Sequence, residues 1–593
     1  MTYPNARVLN YNYGAANGIG DAASRISALI DNDGTSHLGD YSFLGANTFV
    51  ELDLPQPQLK CTLIGTAGGN DPDTGDIYRG FDRFTRTKDQ QWYDYGAATD
   101  ADRIKHGYNR AGNRLYREQT TDPSHFFDEL YHYDNVQRLK DLGRGTLNST
   151  KDAISTLKFA QCWSLDSTGN WGGFRQDDNG DATWDLAQTR VANLVNEITD
   201  ISETAGPAWA TPVYNRAGNM TSVPKTNSPT SSYTLVHDAW NRLVKVSDGA
   251  NTVDECQYDG KNRRIVKKKY VSGVLSETRH YFYTQDWRSI EERVDASANA
   301  ERQFVYGLRY IDDVVLRDRD TNADGTLDER LYGMQDPNWN VTALANASGD
   351  IQERYAYQGY GVPAFLTPTY GSRKSSSFAW EALFAGYRWD SETGLNQVRH
   401  RWLAPHLGNW IQRDPIRLPA DVNLYQYVVS NPVIRVDPTG LPIGAVVGGA
   451  IGCGLNGLIS LWNSLVSGQG LCQTGCNAGI ACVIGALGGA IATVAPTWAA
   501  CIASAVATLT RGLGSLICNA LCDCAQPNWS EIGCRILSLV ALTLATCLGG
   551  PIGELFYPGP AGELAAQVMA LVIQFIGGLV GVAISQACSL LAR

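Results

Sequence analysis

Methionine is scarce in this chain, with 4 in 593 residues beside 60 Gly, 28 Tyr and 15 Trp. That balance argues against helical bundles and for strands joined by tight turns. Excess positive charge is also missing. Lys and Arg number 49 against 60 Asp and Glu, a net charge of -11, which leaves no electrostatic footprint for gripping phosphate backbones. No nucleic acid is therefore expected as a partner. The opening residues MTYPNARVLNYNYG lack the basic start, apolar run and small-residue cleavage site of a secretion signal. They read as strand and turn, so the chain is expected to begin inside a longer parent protein. Its length calls for two or more domains.

A second set of absences is local. From Leu441 to Arg593 there is no Lys and no His, and the only charged side chains are Arg511, Asp523, Glu531, Arg535, Glu554, Glu563 and Arg593. The same stretch holds 11 of the 14 Cys, leaving Cys61, Cys162 and Cys256 to the rest. Such a tail lacks the His, Lys and clustered acids of nucleases, deaminases and other toxin enzymes. The composition break near residue 441 separates two different physical objects, a polar aromatic region and an apolar one.

Within the first region one phrase recurs: an aromatic, then Asp or Asn, then a Gly/Asn/Arg turn, then an apolar residue. It appears from Tyr108, Tyr133, Leu165, Tyr214, His237 and Tyr258, as in Tyr258-Asp259-Gly260-Lys261-Asn262-Arg263-Arg264-Ile265. Gly and Asn tolerate the left-handed backbone that hairpins need, and Asp at a turn's start accepts from amides ahead of it. The flanks alternate as strands, for example Leu243-Val244-Lys245-Val246. Each phrase is thus a strand-turn-strand corner, and stacked corners make a continuous twisted sheet. The run Lys267-Lys268-Lys269 reads as the solvated end of a strand, and His106 and His132 show no metal spacing.

These phrases resemble the YD repeats of bacterial Rhs proteins, which are related to teneurins and toxin-complex C subunits. The stronger resemblance lies in Phe384-Ala385-Gly386-Tyr387 through Glu392-Thr393-Gly394-Leu395, Arg413-Asp414-Pro415, Asn423-Leu424-Tyr425-Gln426-Tyr427, Asn431-Pro432 and Asp437-Pro438-Thr439-Gly440-Leu441. Their order is similar to the Rhs repeat-associated core. The resemblance implies a mainly β fold: a spiralling antiparallel β-sheet shell at residues 1–380, a core at 381–441 that closes one end, and a variable segment at 442–593, often a toxin held inside. It also implies self-cleavage after Leu441 by aspartates working as a proton-sharing pair. The candidates are Asp414, beside Arg413, and Asp437, with Asp421 a third acid. Arg417 stands where the family usually has Gly, and the bond to be cut leads into the stiff ring of Pro442. The competing reading is that both Asp-Pro pairs simply cap turns.

One further constellation is chemical. In Asp320-Thr321-Asn322-Ala323-Asp324-Gly325-Thr326-Leu327-Asp328, oxygen donors alternate around a Gly as in the first half of a calcium loop. Asp320, Asn322, Asp324, the Thr326 carbonyl and Asp328 would be the ligands; position twelve is Leu331, so the bidentate Glu is missing. The alternative is a plain acidic turn.

The tail contains apolar stretches at residues 443–462, 478–510, 532–556 and 565–591, each long enough for a membrane-spanning helix, with glycines four apart such as Gly444 and Gly448. An all-α hydrophobic segment is expected, either membrane-inserting or packed as a bundle or plug. Cys472, Cys476, Cys518 and Cys522 offer a zinc or disulfide alternative. Two functions follow. One is an Rhs-type secreted or cell-surface toxin whose shell carries this tail as encapsulated cargo, with a lipid membrane and an immunity or secretion protein as partners. The other is a cell-surface adhesion protein with the tail as membrane anchor.

Overall fold

Asp134 shows why the repeated phrase turns. Its Oδ1 accepts from the amides of Val136 (3.0 Å) and Arg138 (2.9 Å), and its Oδ2 takes the Arg138 Nε–H at 2.7 Å. Gln137 between them is left-handed, with φ of 69°. The same Asp-to-Arg bond four residues on, 2.7 Å each time, closes the turns at Asp82–Arg86, Asp238–Arg242 and Asp259–Arg263. Asn or Asp paired with Asn replaces the ion pair at Asn109–Asn113, Asp166–Asn170 and Asn215–Asn219, where Gly112, Gly169 and Gly218 supply the positive φ.

Two side chains then tie several of these turns to their neighbours. The arginine reaches forward: Arg86, Arg138, Arg242 and Arg263 donate to the carbonyls of Asn109, Asp166, Asp259 and Thr284, the first residues of other turns. The tyrosines ahead of four turns reach back, each to the residue that follows the preceding turn. Tyr108 bonds the Thr87 carbonyl, Tyr133 that of Arg114, Tyr258 that of Leu243 and Tyr283 that of Arg264, at 2.7 to 2.9 Å. The repeat therefore encodes contacts between repeats as well as the corner itself.

The structure, a computed structural model, describes residues 1–45, 48–64, 80–416 and 422–441. Arg417, Asp421 and all of 442–593, with its apolar stretches and cysteines, lie outside the described residues. Met1–Leu441 forms one compact unit. Its strands make a 14-stranded sheet from Asn10–Asn12 to Ile198–Ala205, a 15-stranded sheet from Val213–Tyr214 to Ser372–Arg373, and a 4-stranded sheet from Arg388–Asp390 to Asn409–Trp410. In each sheet the spatial order is the sequence order, and every pair is antiparallel. The fold is thus mainly antiparallel β, and the one α-helix among the described residues is the four-residue Ile19–Ala22. No helix among them is long and apolar enough to cross a membrane.

The apolar faces meet between sheets. Leu29, Leu52, Leu59 and Trp92 of the first sheet pack with Val305, Leu316, Tyr332 and Met334 of the second. Leu395 and Trp402 of the small sheet, with Leu407 of its last turn, pack on Val223, Leu235 and Val246. A charged clasp joins the same partners. Lys267 Nζ lies 2.7 Å from Asp390 and 2.6 Å from Glu392, with Asp254 at 3.7 Å. This corrects the reading of Lys267 as a solvated strand end: it is buried, and its charge is held by three acids. Lys269, on the same face two residues on, keeps the expected exposure at 40%.

Candidate functional site at the end of the core

Residues 422–433 run across the row of turns. Asn431 donates to Asn113 Oδ1 and the Gln137 carbonyl, Asn423 to Asn170 Oδ1, and Asn196 to the Val422 carbonyl, while Tyr425 donates to the Gly218 carbonyl. The left-handed turn positions leave no room for more. A Cβ on Gly169 would lie 1.9 Å from Gln426, and one on Gly218 would lie 2.1 Å from Arg413.

Behind this segment the two sequence-predicted aspartates come together. Arg401 Nη2 lies 2.7 Å from Asp414 Oδ2 and 3.4 Å from Asp437 Oδ2, and all three side chains are at most 6% exposed. Arg401 follows directly on the Leu395–Val398 strand and its two-residue turn, which aims it at both acids. Its guanidinium stacks 4.2 Å from the Trp410 ring. Asp437 Oδ1 accepts from the amides of Thr439 (3.2 Å), Gly440 (2.9 Å) and Leu441 (3.2 Å). Burial raises the Asp437 carboxyl above its ordinary range, and Arg401 and these amides offset part of that rise. The carboxyl group lies under the amide of the residue whose carbonyl the predicted cut would open.

Arg413, named with these acids from the sequence, points elsewhere. Its guanidinium bonds Glu197 at 2.6 Å and the Tyr425 hydroxyl at 3.0 Å, bracing the core against a turn. Arg401 takes the central place instead. Sequence reasoning gave it no role because it lies 13 positions before Asp414, inside a strand and away from both Asp-Pro pairs.

The predicted calcium loop joins the strands Val314–Arg319 and Glu329–Gln335. Asp320 accepts from the amides of Asn322 (3.3 Å) and Gly325 (2.8 Å), Asn322 from Asp324 (3.0 Å), Asp324 from Thr326 (2.7 Å), and Asp328 from Thr321 (2.9 Å). The donors thus bond the loop's own amides. Among the described residues no three His, Cys, Asp or Glu side chains gather as metal ligands. The sequence reading missed a twin: Asp177, Asn179, Asp181, Thr183 and Asp185 repeat the same five residue types at the same spacing. Their bonds match too, with Asp177 taking the amides of Asn179 and Ala182, and Asp185 that of Asp178.

No protein-family model matches the chain. Among curated proteins it is 27% identical over 256 residues to the tRNA(Glu)-specific nuclease WapA of Bacillus subtilis subsp. natto, covering 42% of this chain and 10% of that protein. It is 23% identical over 423 residues to the toxin protein Tse5 of Pseudomonas aeruginosa, covering 67% of this chain and 29% of that one. The chain thus spans a tenth to under a third of the length of these relatives. In fold it is similar to a chain of the Photorhabdus luminescens Tc holotoxin pore, with a TM-score of 0.56 at 16% identity, over 74% of this chain and 20% of that one. Turns stapled forward by arginine and back by tyrosine, in sheets that follow chain order, accord with these similarities, and the chain resembles Rhs-type YD-repeat toxins in sequence and a Tc toxin chain in fold.

Proposed function

We propose that the chain is part of a secreted or cell-surface Rhs-type toxin whose β unit carries residues 442–593 as an all-α hydrophobic cargo, cuts it free after Leu441, and delivers it to a lipid membrane. The observation that carries this reading is the convergence of Asp414 and Asp437 on Arg401 at the end of the core. One carboxylate takes a proton from water as the oxygen adds to the Leu441 carbonyl carbon. The other carboxyl group gives its proton to the Pro442 nitrogen as the C–N bond breaks. Asp437, whose carboxyl burial raises above the ordinary range, suits the second role, and Asp414, at 2.7 Å from Arg401, suits the first. The toxin names of the relatives support the class. An immunity or secretion partner and membrane action follow for this chain from that class and from the sparsely charged, apolar tail.

The test is to incubate the purified chain with dye-loaded vesicles of anionic and zwitterionic lipid and to read fragment masses. The wild type is expected to yield a fragment ending at Leu441 and to release dye, and Asp414→Asn to do neither. A chain that stays whole and leaves vesicles intact would favour the adhesion reading.

Calcium is a separate proposal for the loop from Asp320 to Asp328. Its support is the alternation of donors around Gly325, repeated from Asp177 to Asp185. Binding requires the carboxylates to leave the loop amides. Calorimetry is expected to give calcium heat that Asp324→Ala reduces, and no heat at all would refute it.

A further inference from the structure

The last residues of the core lie in a groove that binds their backbone. Four successive carbonyls each accept a hydrogen bond from the core: Asp437 from the Tyr387 hydroxyl at 2.8 Å, Pro438 from Arg399 Nη1, Thr439 from the His400 amide at 3.2 Å, and Gly440 from Arg401 Nε at 2.6 Å. Arg399 is fixed in turn by Asp312, at 2.6 Å. Tyr387 does more than its neighbours. It donates to the Asp437 carbonyl and accepts the Asp437 N–H at 2.8 Å, so one hydroxyl holds both sides of that residue. The Tyr427 hydroxyl, 3.0 Å away, supplies the second donor to the Tyr387 oxygen. Tyr387 is 2% exposed, between the turn after Leu383 and the first strand of the small sheet, and cannot swing away without opening the core.

We infer that Tyr387 is a positioning residue for self-cleavage: by clamping the backbone of Asp437 it sets the carboxyl of that residue beneath the Leu441 amide, and the carbonyl ladder reads residues 437–440 by backbone and not by side chain. The inference rests on the self-cleavage reading above. Gly440 is the one position where the ladder also tests the side chain. Its φ is +69°, and a Cβ there would lie 2.5 Å from the Val398 carbonyl, so any other residue lifts this segment from the groove. Loss of the Tyr387 hydroxyl has two effects that differ from simple loosening of the core. It slows the cut, because a displaced carboxyl no longer meets its carbonyl. It also moves the pH profile upward, because a slackened segment withdraws the amides that partly stabilise the ionised Asp437.

The experiment follows fragment appearance by mass in the full chain, from pH 4 to 9, for the wild type, Tyr387→Phe, Gly440→Ala and Tyr427→Phe, with circular dichroism to monitor the β fold. Tyr387→Phe is expected to cut about tenfold more slowly or worse, with its profile displaced to higher pH. Gly440→Ala is expected to cut at least as slowly with its spectrum unchanged, and it keeps the idea testable if Tyr387→Phe does not fold. Tyr427→Phe, which leaves the ladder bonds in place, is expected to lose less. A wild type that cuts while Tyr387→Phe and Gly440→Ala cut at its rate and with its pH profile overturns the inference alone. A wild type that never cuts overturns the self-cleavage reading and the inference with it.

Discussion

Arg242 lies over the ring of Tyr258, with the guanidinium carbon 5.1 Å from the ring centroid, and donates to the carbonyl of Asp259, the residue beside that tyrosine. The Tyr258 hydroxyl returns to the carbonyl of Leu243, beside Arg242. Adjacent turns are thus joined by a closed pair of contacts, one in each direction. The planar fork of Arg242 serves Asp238, the next turn and the ring at once, which a lysine ammonium cannot do. Arg242→Lys is expected to cost about 1–2 kcal/mol. Urea unfolding read by intrinsic fluorescence checks this as a lowered midpoint with an unchanged slope.

The clasp around Lys267 makes stability depend on pH. Burial pushes the Asp254 carboxyl up to about 7, an increase that Lys267 offsets only in part and that Asp390 reinforces. The folded chain thus binds a proton that the unfolded chain releases at lower pH. The stabilisation from that proton is full below the ordinary Asp range and disappears as pH rises through about 7. Asp254→Asn is expected to flatten the fall in melting temperature between pH 5 and 8 and to raise the value at pH 8 by several degrees. Thermal unfolding of both chains at the two pH values is the check.

Arg401 and Arg413 separate two roles that lie close in sequence. Arg401→Ala leaves two buried acids without their shared cation and is expected to abolish the cut and to lower stability by about 3 kcal/mol or more. Arg413→Ala, whose partner is Glu197, is expected to leave cutting at the wild-type rate with a modest loss of stability. Equal loss of cutting in both variants would argue against the assignment.

The corners of this fold were legible because a left-handed residue and its acceptor Asp must fall within five residues, a spacing that sequence displays directly. Asp134 to Arg138 and Asn215 to Asn219 are such cases. The staples between turns were not legible as bonds, although the Tyr and Arg that make them were part of the phrase, because their partners are backbone carbonyls of arbitrary residue type. The same reason hid the carbonyl ladder over residues 437–440. Asp414 and Asp437 were found by resemblance, whereas Arg401 and Tyr387 matter through where the small sheet puts them. Lys267 was misread because the run itself gives no sign of Asp390 and Glu392, which lie more than 120 residues on and are brought against it by the small sheet.

The strict agreement of strand order with chain order has a consequence for how the molecule is made. Each hairpin needs only the strand before it, so both large sheets can assemble progressively as the chain leaves the ribosome. The contacts from Asn431 to Asn113 and from Arg114 to the Val433 carbonyl span more than three hundred residues and cannot form until the core has been synthesised. A chain ended before Arg388 would hold every strand of both large sheets, yet its row of turns would lack the bonds that Asn423 and Asn431 supply. Closure is therefore a late event in synthesis, made by the residues that immediately precede the apolar tail.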